Sequence, residues 1–222
     1  MIAIIGAMEE EVSYFKSIMK VEELFEIASL KFSKGQLLGK EVIIVKSGVG
    51  KVNAAICTQI LIDYFKPKQL INIGIAGSLR DDLKIGDVIA GGDFVYNDVD
   101  VTPFGYNKNQ LPGMESEIIK GDRPLLFLAE DSGAIAGIIT SGDTFVANLD
   151  SAERIREETD ADCVEMESVA IAHTCFLNKI PFLAVRGISD LADGNASGDM
   201  KSNLDKAMKA AIKVTENVLR RI

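Results

Sequence analysis

A single α/β domain over residues 1–222, with a central mixed β-sheet flanked by helices, is predicted by three features. Short apolar runs such as Ile2–Ile5 and Phe182–Val185 have the length and composition of strands buried on both faces. Helical periodicity separates such runs, the last segment repeating Leu204, Met208, Ala211, Thr215 and Val218 on one face. No linker, internal repeat or low-complexity stretch breaks the alternation, and 222 residues at 47% hydrophobic suit one sizeable core.

Ile2–Ile5 is the first strand, and Gly6 lets the chain turn before a helix that starts near Met8 with Glu9, Glu10 and Glu11. Acids in a first turn complement the helix dipole, which accounts for all three without any function. Residues 26–33 and 41–47 are predicted as two strands joined around Gly35 to Lys40. A helix over 52–65 follows Ser47-Gly48-Val49-Gly50-Lys51 and stops at Pro67. Leu70–Gly77 is a strand, then Val88–Ala90 and Phe94–Tyr96. The stretch 97–114 is irregular, and a loop of that length inside a compact domain usually serves function or contact. A helix over 115–130, a strand over 136–140 and a helix over 149–158 come next. Residues 161–167 then lead into a helix reaching Asn178, followed by a strand over 182–188 and a last helix over 200–221.

Composition excludes several classes. A net charge of −9 repels a polyanion over much of the surface, so no nucleic-acid partner is expected. No apolar run reaches the roughly 18 residues of a membrane span, and the first strand follows Met1 with no signal-peptide pattern, so a cytoplasmic protein without a membrane partner is expected. Cys57, Cys163 and Cys175 are odd in number and lack paired spacing, reading as reduced core thiols. With His173 as the single histidine, in the apolar run VAIAHTCFL, no metal site is expected.

Two glycine-rich loops fail the phosphate tests. SGVGKVN lacks the spacing and hydroxyl of a P-loop, and IGIAGS lacks the three-glycine dinucleotide pattern. The carboxylates are more informative. Glu11 follows the first strand, Glu165 and Glu167 end the 161–167 extension, and Asp190 ends the strand that carries Arg186-Gly187-Ile188-Ser189. Open α/β sheets collect ligands at the carboxyl ends of their strands. Carboxylates without histidine suit acid–base work on a sugar-like centre, where they also stabilise a cationic transition state. The alternative for Asp190 and Arg186 is a turn cap and an ion pair. If 163–167 is extended, Glu165 and Glu167 share a side; if it is helical they diverge, and periodicity does not decide.

Seven motifs occur in order: IIGAMEEEV (4–12), SGVGKVNAA (47–55), NIGIAGSL (72–79), DVDVTPFGYNKNQLPG (98–113), SGDTFV (141–146), VEMES (164–168) and VRGISDLAD (185–193). Together they resemble the 5'-methylthioadenosine/S-adenosylhomocysteine nucleosidases, of nucleoside phosphorylase-like fold, along the whole chain. The resemblance implies a hydrolase that releases adenine from 5'-thioadenosine nucleosides, needs no cofactor and serves methionine salvage. It makes Glu11 the base that deprotonates water, Asp190 the acid that protonates adenine N7 with Ser189 beside it, and Arg186 an aid in placing the water. Glu167 would grip the ribose hydroxyls, with Met166 against the sugar. Phe145 would stack on adenine while the Val146 backbone reads its edge. Met8 and Val49 would line the sugar and 5' side, and Ile75 and Gly77 belong to the same binding wall. Val101, Phe104, Tyr106 and Pro112 would close the 5' pocket of a neighbouring subunit, so a homodimer is expected.

The chain departs from the family pattern in three places. Ile75 stands where Ser or Thr is frequent and offers no side-chain hydrogen bond; Gly77-Ser78 replaces Gly-Gly; Met200 stands where a lid aromatic is common. Two rival functions differ in chemistry. Phosphorolysis needs several basic groups for a phosphate dianion, whereas Arg186 is the only arginine in the acid-bearing motifs, with Arg80 the next nearest candidate. A non-catalytic nucleoside-binding protein would lack the acid–base pair, whereas Glu11 and Asp190 are both present.

Overall fold

The computed structural model describes residues 1–193 and 195–222, and among these it forms ten strands and six α-helices. The strands are β1 (Ile2–Gly6), β2 (Lys20–Ile27), β3 (Leu30–Leu37), β4 (Lys40–Lys46), β5 (Gln69–Ser78), β6 (Val88–Tyr96), β7 (Ile118–Lys120), β8 (Ile135–Ser141), β9 (Cys163–Glu165) and β10 (Phe182–Asp190). The helices are α1 (Glu9–Ile18), α2 (Lys51–Phe65), α3 (Arg123–Glu130), α4 (Leu149–Thr159), α5 (Ser168–Asn178) and α6 (Ala196–Arg221).

All ten strands belong to one mixed sheet, in the order β10-β6-β8-β9-β5-β1-β4-β3-β2, with β7 on β6. Because β10 also pairs with β5, the strands β5, β10, β6, β8 and β9 close into a ring, and β1 to β4 extend from it as an arm. Parallel β1, β5 and β10 bury both faces. Ala3 and Ile5, Ile43 and Val45, and Leu70 pack in one core; Ile2 and Ile4, Val42 and Ile44, and Ile71 pack in the other. The alternation of strand side chains divides each continuous apolar run between two cores. Helices α2 and α5 pack together, while α6 lies along β10 and β5.

Several boundaries differ from the sequence expectation. Residues 26–33 are not one strand but the two arms of a β2–β3 hairpin, whose turn residues Ala28 and Ser29 have φ of 52° and 62°. Neither is the Gly or Asn that usually marks such a turn, and β2 is a solvent-facing edge strand with little apolar alternation. The expected helix over 115–130 is the short strand β7 followed by α3. Asp122 caps α3 by accepting from Leu125 N at 2.9 Å, and Pro124 lies in its first turn. The last helix starts at Ala196, a turn before the expected position. Among the described residues no helix is long and apolar enough to cross a membrane.

Candidate active site

A cleft of about 210 Å³ opens where the carboxyl ends of β1, β5 and β10 meet β9 and the loop after β8. Four carboxylates line it: Glu11, Glu165, Glu167 and Asp190. Among the described residues that line it there is no Lys, Arg or His.

The structure separates the three first-turn acids. Glu9 faces solvent and pairs with Lys16 at 2.9 Å, and Glu10 is exposed. Glu11 instead turns back over the start of α1 and is 4% exposed. Its Oε2 accepts from the backbone N–H of Ala7 at 2.6 Å and of Met8 at 3.1 Å; its Oε1 accepts from Ile75 N–H at 3.3 Å. Burial raises the Glu11 pKa above the ordinary carboxyl value, partly offset by Arg186 and these three donors. A carboxyl tuned upward in this way approaches the range useful to a general base near neutrality.

Asp190 ends β10, where the pairing with β5 shifts register between Ile188 and Asp190. Its Oδ2 accepts from the Ser189 hydroxyl at 2.8 Å and its Oδ1 from Ala192 N–H at 3.0 Å. Burial raises its pKa despite these two donors, and the acids Asp193 and Asp199 push the same way. A carboxyl that holds its proton longer is better placed to donate it.

The open question about Glu165 and Glu167 is settled by a change of backbone between them. Glu165 ends β9, whereas Glu167 is the N-terminal cap of α5 with φ −135° and ψ −40°. They diverge. Glu167 reaches across the cleft and accepts from Gly50 N–H at 2.8 Å. Burial, then the neighbouring Glu165 charge, pushes its pKa up to about 8. Glu165 turns inward, accepts from the Ser168 and Glu167 N–H groups and from the Ser141 hydroxyl, and pairs with Arg186 at 2.5 Å.

Arg186 is 1% exposed and lies behind the cleft wall rather than in it. Its Nη2 donates to Glu165, to Ser168 Oγ at 2.9 Å and to Asn72 Oδ1. Its Nη1 has no hydrogen-bond partner among the described residues and points toward Glu11 past Gly74. Burial works against its charge, but Glu165, Glu11 and Glu167 outweigh that and hold its pKa up. A buried cation is costly unless carboxylates offset its charge; here the two hydrogens of Nη2 are shared among three acceptors, while the buried Nε has no hydrogen-bond partner among the described residues.

Met8, Val49, Ile75, Gly77, Phe145, Val146, Met166 and Ser189 all line the cleft, as does Met200. Phe145 is 45% exposed, a ring presented to the opening rather than used in the core. Val101, Phe104, Tyr106 and Pro112 do not line it; Phe104 is 81% exposed. His173 lies apart, its Nδ1 3.1 Å from the Tyr96 hydroxyl. The residue missed as a participant from sequence is Asn72, a fully buried polar side chain. Its signal was present as one amide inside the apolar strand LINIGIAG, since a buried polar group must find partners.

Closed sheet, strand-end cleft and carboxylate set define a nucleoside-handling α/β protein, and comparison with known proteins agrees. The family model described as the phosphorylase superfamily matches residues 1–220. The 5'-methylthioadenosine/S-adenosylhomocysteine nucleosidase of Staphylococcus haemolyticus is 41% identical, with 99% of each chain covered. That of Staphylococcus aureus is 40% identical over 97% of each. Among solved structures, the Neisseria meningitidis nucleosidase in complex with methylthio-immucillin-A has a TM-score of 0.96 at 34% identity, covering 100% of this chain and 99% of that one. The native futalosine hydrolase of Helicobacter pylori has a TM-score of 0.95 at 30% identity, covering 100% and 97%. The chain belongs to the 5'-methylthioadenosine/S-adenosylhomocysteine nucleosidase family of the phosphorylase superfamily.

Proposed function

We propose that the protein hydrolyses the N-glycosidic bond of 5'-methylthioadenosine and S-adenosylhomocysteine, and of 5'-deoxyadenosine, releasing adenine and the 5'-substituted ribose for methionine salvage. The observation that carries this reading is a cleft holding three carboxyls of raised pKa, with Glu11 and Asp190 on different walls and Glu167 bonded to Gly50 N–H. Asp190 gives its proton to adenine N7, so the electron pair of the breaking C1'–N9 bond is taken up by a neutral leaving group. Water adds to C1' and loses its proton to Glu11. The remaining carboxylates stabilise the oxocarbenium-like charge that develops between these events. Glu167 accepts from the ribose hydroxyls, Met166 packs on the sugar, and Phe145 and Val146 hold the base. Arg186 acts from behind, directing Glu11 and the water beside it.

Water is favoured over phosphate as the nucleophile by electrostatics. A phosphate dianion would enter a cleft lined by four carboxylates, while the buried Arg186 is engaged by Glu165. The test is to follow 5'-methylthioadenosine consumption with and without phosphate. Phosphate-independent release of adenine and 5-methylthioribose is expected; strict phosphate dependence with a sugar 1-phosphate product overturns the hydrolase reading.

A cytoplasmic homodimer completes the proposal. Phe104, Val52, Phe176 and Leu177 are large apolar side chains at 55–81% exposure, and burial of such side chains against a second copy supports the dimer. Val101, Phe104, Tyr106 and Pro112 would then close the partner's 5' pocket. Sedimentation should give about twice the 24.0 kDa chain mass, and Phe104→Asp should raise KM for 5'-alkylthio substrates. The three buried free cysteines suit a reducing compartment.

A further inference from the structure

We propose that Asn72, assisted by Ser168, is a positioning residue that ties Arg186 to the strand bearing the Glu11 turn and so sets the water-activating end of the cleft. The inference rests on the nucleosidase reading for its kinetic consequence, though its geometry stands by itself.

Asn72 sits in β5, paired with Ile5 of β1 on one side and Ala184 of β10 on the other. Its side chain is fully buried and its two ends have different partners. Nδ2 donates to the Ile5 carbonyl at 3.0 Å, one residue before the Gly6-Ala7-Met8 turn whose N–H groups hold Glu11. Oδ1 accepts from Arg186 Nη2 and from the Ser168 hydroxyl, the latter at 3.2 Å. The amide orientation is dictated by chemistry, since only the nitrogen can face a carbonyl and only the oxygen a guanidinium. One planar group therefore fixes the distance between the Glu11 turn and the Arg186 fork.

Ser168 adds a second constraint from α5. Its Oγ lies 2.9 Å from Arg186 Nη2 and 3.0 Å from Glu165 Oε2, so it holds the guanidinium from α5. With Nη2 held by three acceptors, Nη1 is left to face Glu11. The charged groups that act on Glu11 are Arg186 from β10 and Glu167 at the start of α5. Of these only Arg186 is a cation, and after burial it is the largest influence on the Glu11 carboxyl, so a shift of its fork changes the environment of the base.

The test compares wild type with Asn72→Ala and with Ser168→Ala, the milder change in case the first fails to fold. Carbon-13 titration of the Glu11 carboxyl, assigned with Glu11→Gln, reads the coupling directly. Steady-state kinetics read its consequence, and adenine binding with thermal melting reports the integrity of the rest. Expected are a higher Glu11 titration midpoint, as the cation moves away, and kcat lower by ~10- to 100-fold, with KM and adenine binding little changed. An unshifted Glu11 titration and unaltered kcat in a folded variant overturn the proposal. A wild-type protein that does not hydrolyse 5'-methylthioadenosine overturns the nucleosidase reading instead, and the titration shift still decides this inference.

Discussion

Arg186 and Glu11 flank the space left by the absent side chain of Gly74. A β-carbon there would stand 2.5 Å from Glu11 Oε1 and closer still to Arg186 Nη1. The base of the cleft and the buried cation behind it can approach only because β5 carries glycine at that position.

Gly74→Ala should therefore separate the two groups without altering any charge. Misplacement of a reacting group by about 1 Å costs on the order of 100-fold, so kcat measured at saturating 5'-methylthioadenosine should fall by about that factor. A folded Gly74→Ala enzyme with unchanged kcat would show that this juxtaposition has no role in turnover.

Asp190→Asn keeps the shape of the side chain and its bond from Ala192, but removes the transferable proton. Loss of positioned proton transfer should reduce kcat by ~10²–10⁴-fold. Adenine binding, followed by calorimetry, should persist because Phe145 and Val146 are untouched. Wild-type turnover in this variant would assign the acid elsewhere.

Glu167 links site chemistry to stability. Its pKa rises from 4.5 to about 8 in the fold, so the folded state binds this proton more tightly than the unfolded state does. The resulting stabilisation is fully present below pH 4.5 and is lost as pH rises through about 8. Glu167→Gln stays neutral and can still accept from Gly50 N–H. Its melting temperature should exceed that of wild type above pH 8 and converge with it near pH 4, while KM rises through the lost ribose contact. A melting-temperature difference independent of pH would contradict the assignment.

Gly187 lies under α6, where a β-carbon would come within 2.7 Å of the Ala207 carbonyl carbon. Backbone is a stiff neighbour, so Gly187→Ala should push α6 off β10 and cost ~1–3 kcal/mol of stability. Chemical denaturation measures this directly; a loss under half a kcal/mol would mean that the helix slides freely.

Much of the fold was legible because burial on both faces leaves an unmistakable trace. β1, β5 and β10 are continuous apolar runs, and α2 and α5 follow them with clear starts. The β2–β3 hairpin was not legible, since its turn uses Ala28 and Ser29 and its outer strand gains little from apolar alternation. For the site, residue order brought Glu11, Glu167 and Asp190 to strand ends, and the cleft gathers all three. Arg186 looked equivalent to Asp190 four residues away, yet it lies behind the wall because Glu165, Ser168 and Asn72 draw it inward.

The sequence by itself determined the alternating α/β class, the family and the residue types available for proton transfer, because these depend on local pattern and composition. Tertiary structure decided which acid of Glu9, Glu10 and Glu11 is buried, and that the strand-to-helix change falls between Glu165 and Glu167. It also decided that one amide, Asn72, joins the base to its cation. Such outcomes depend on strand register and on desolvation by distant segments, and neither is written in local spacing.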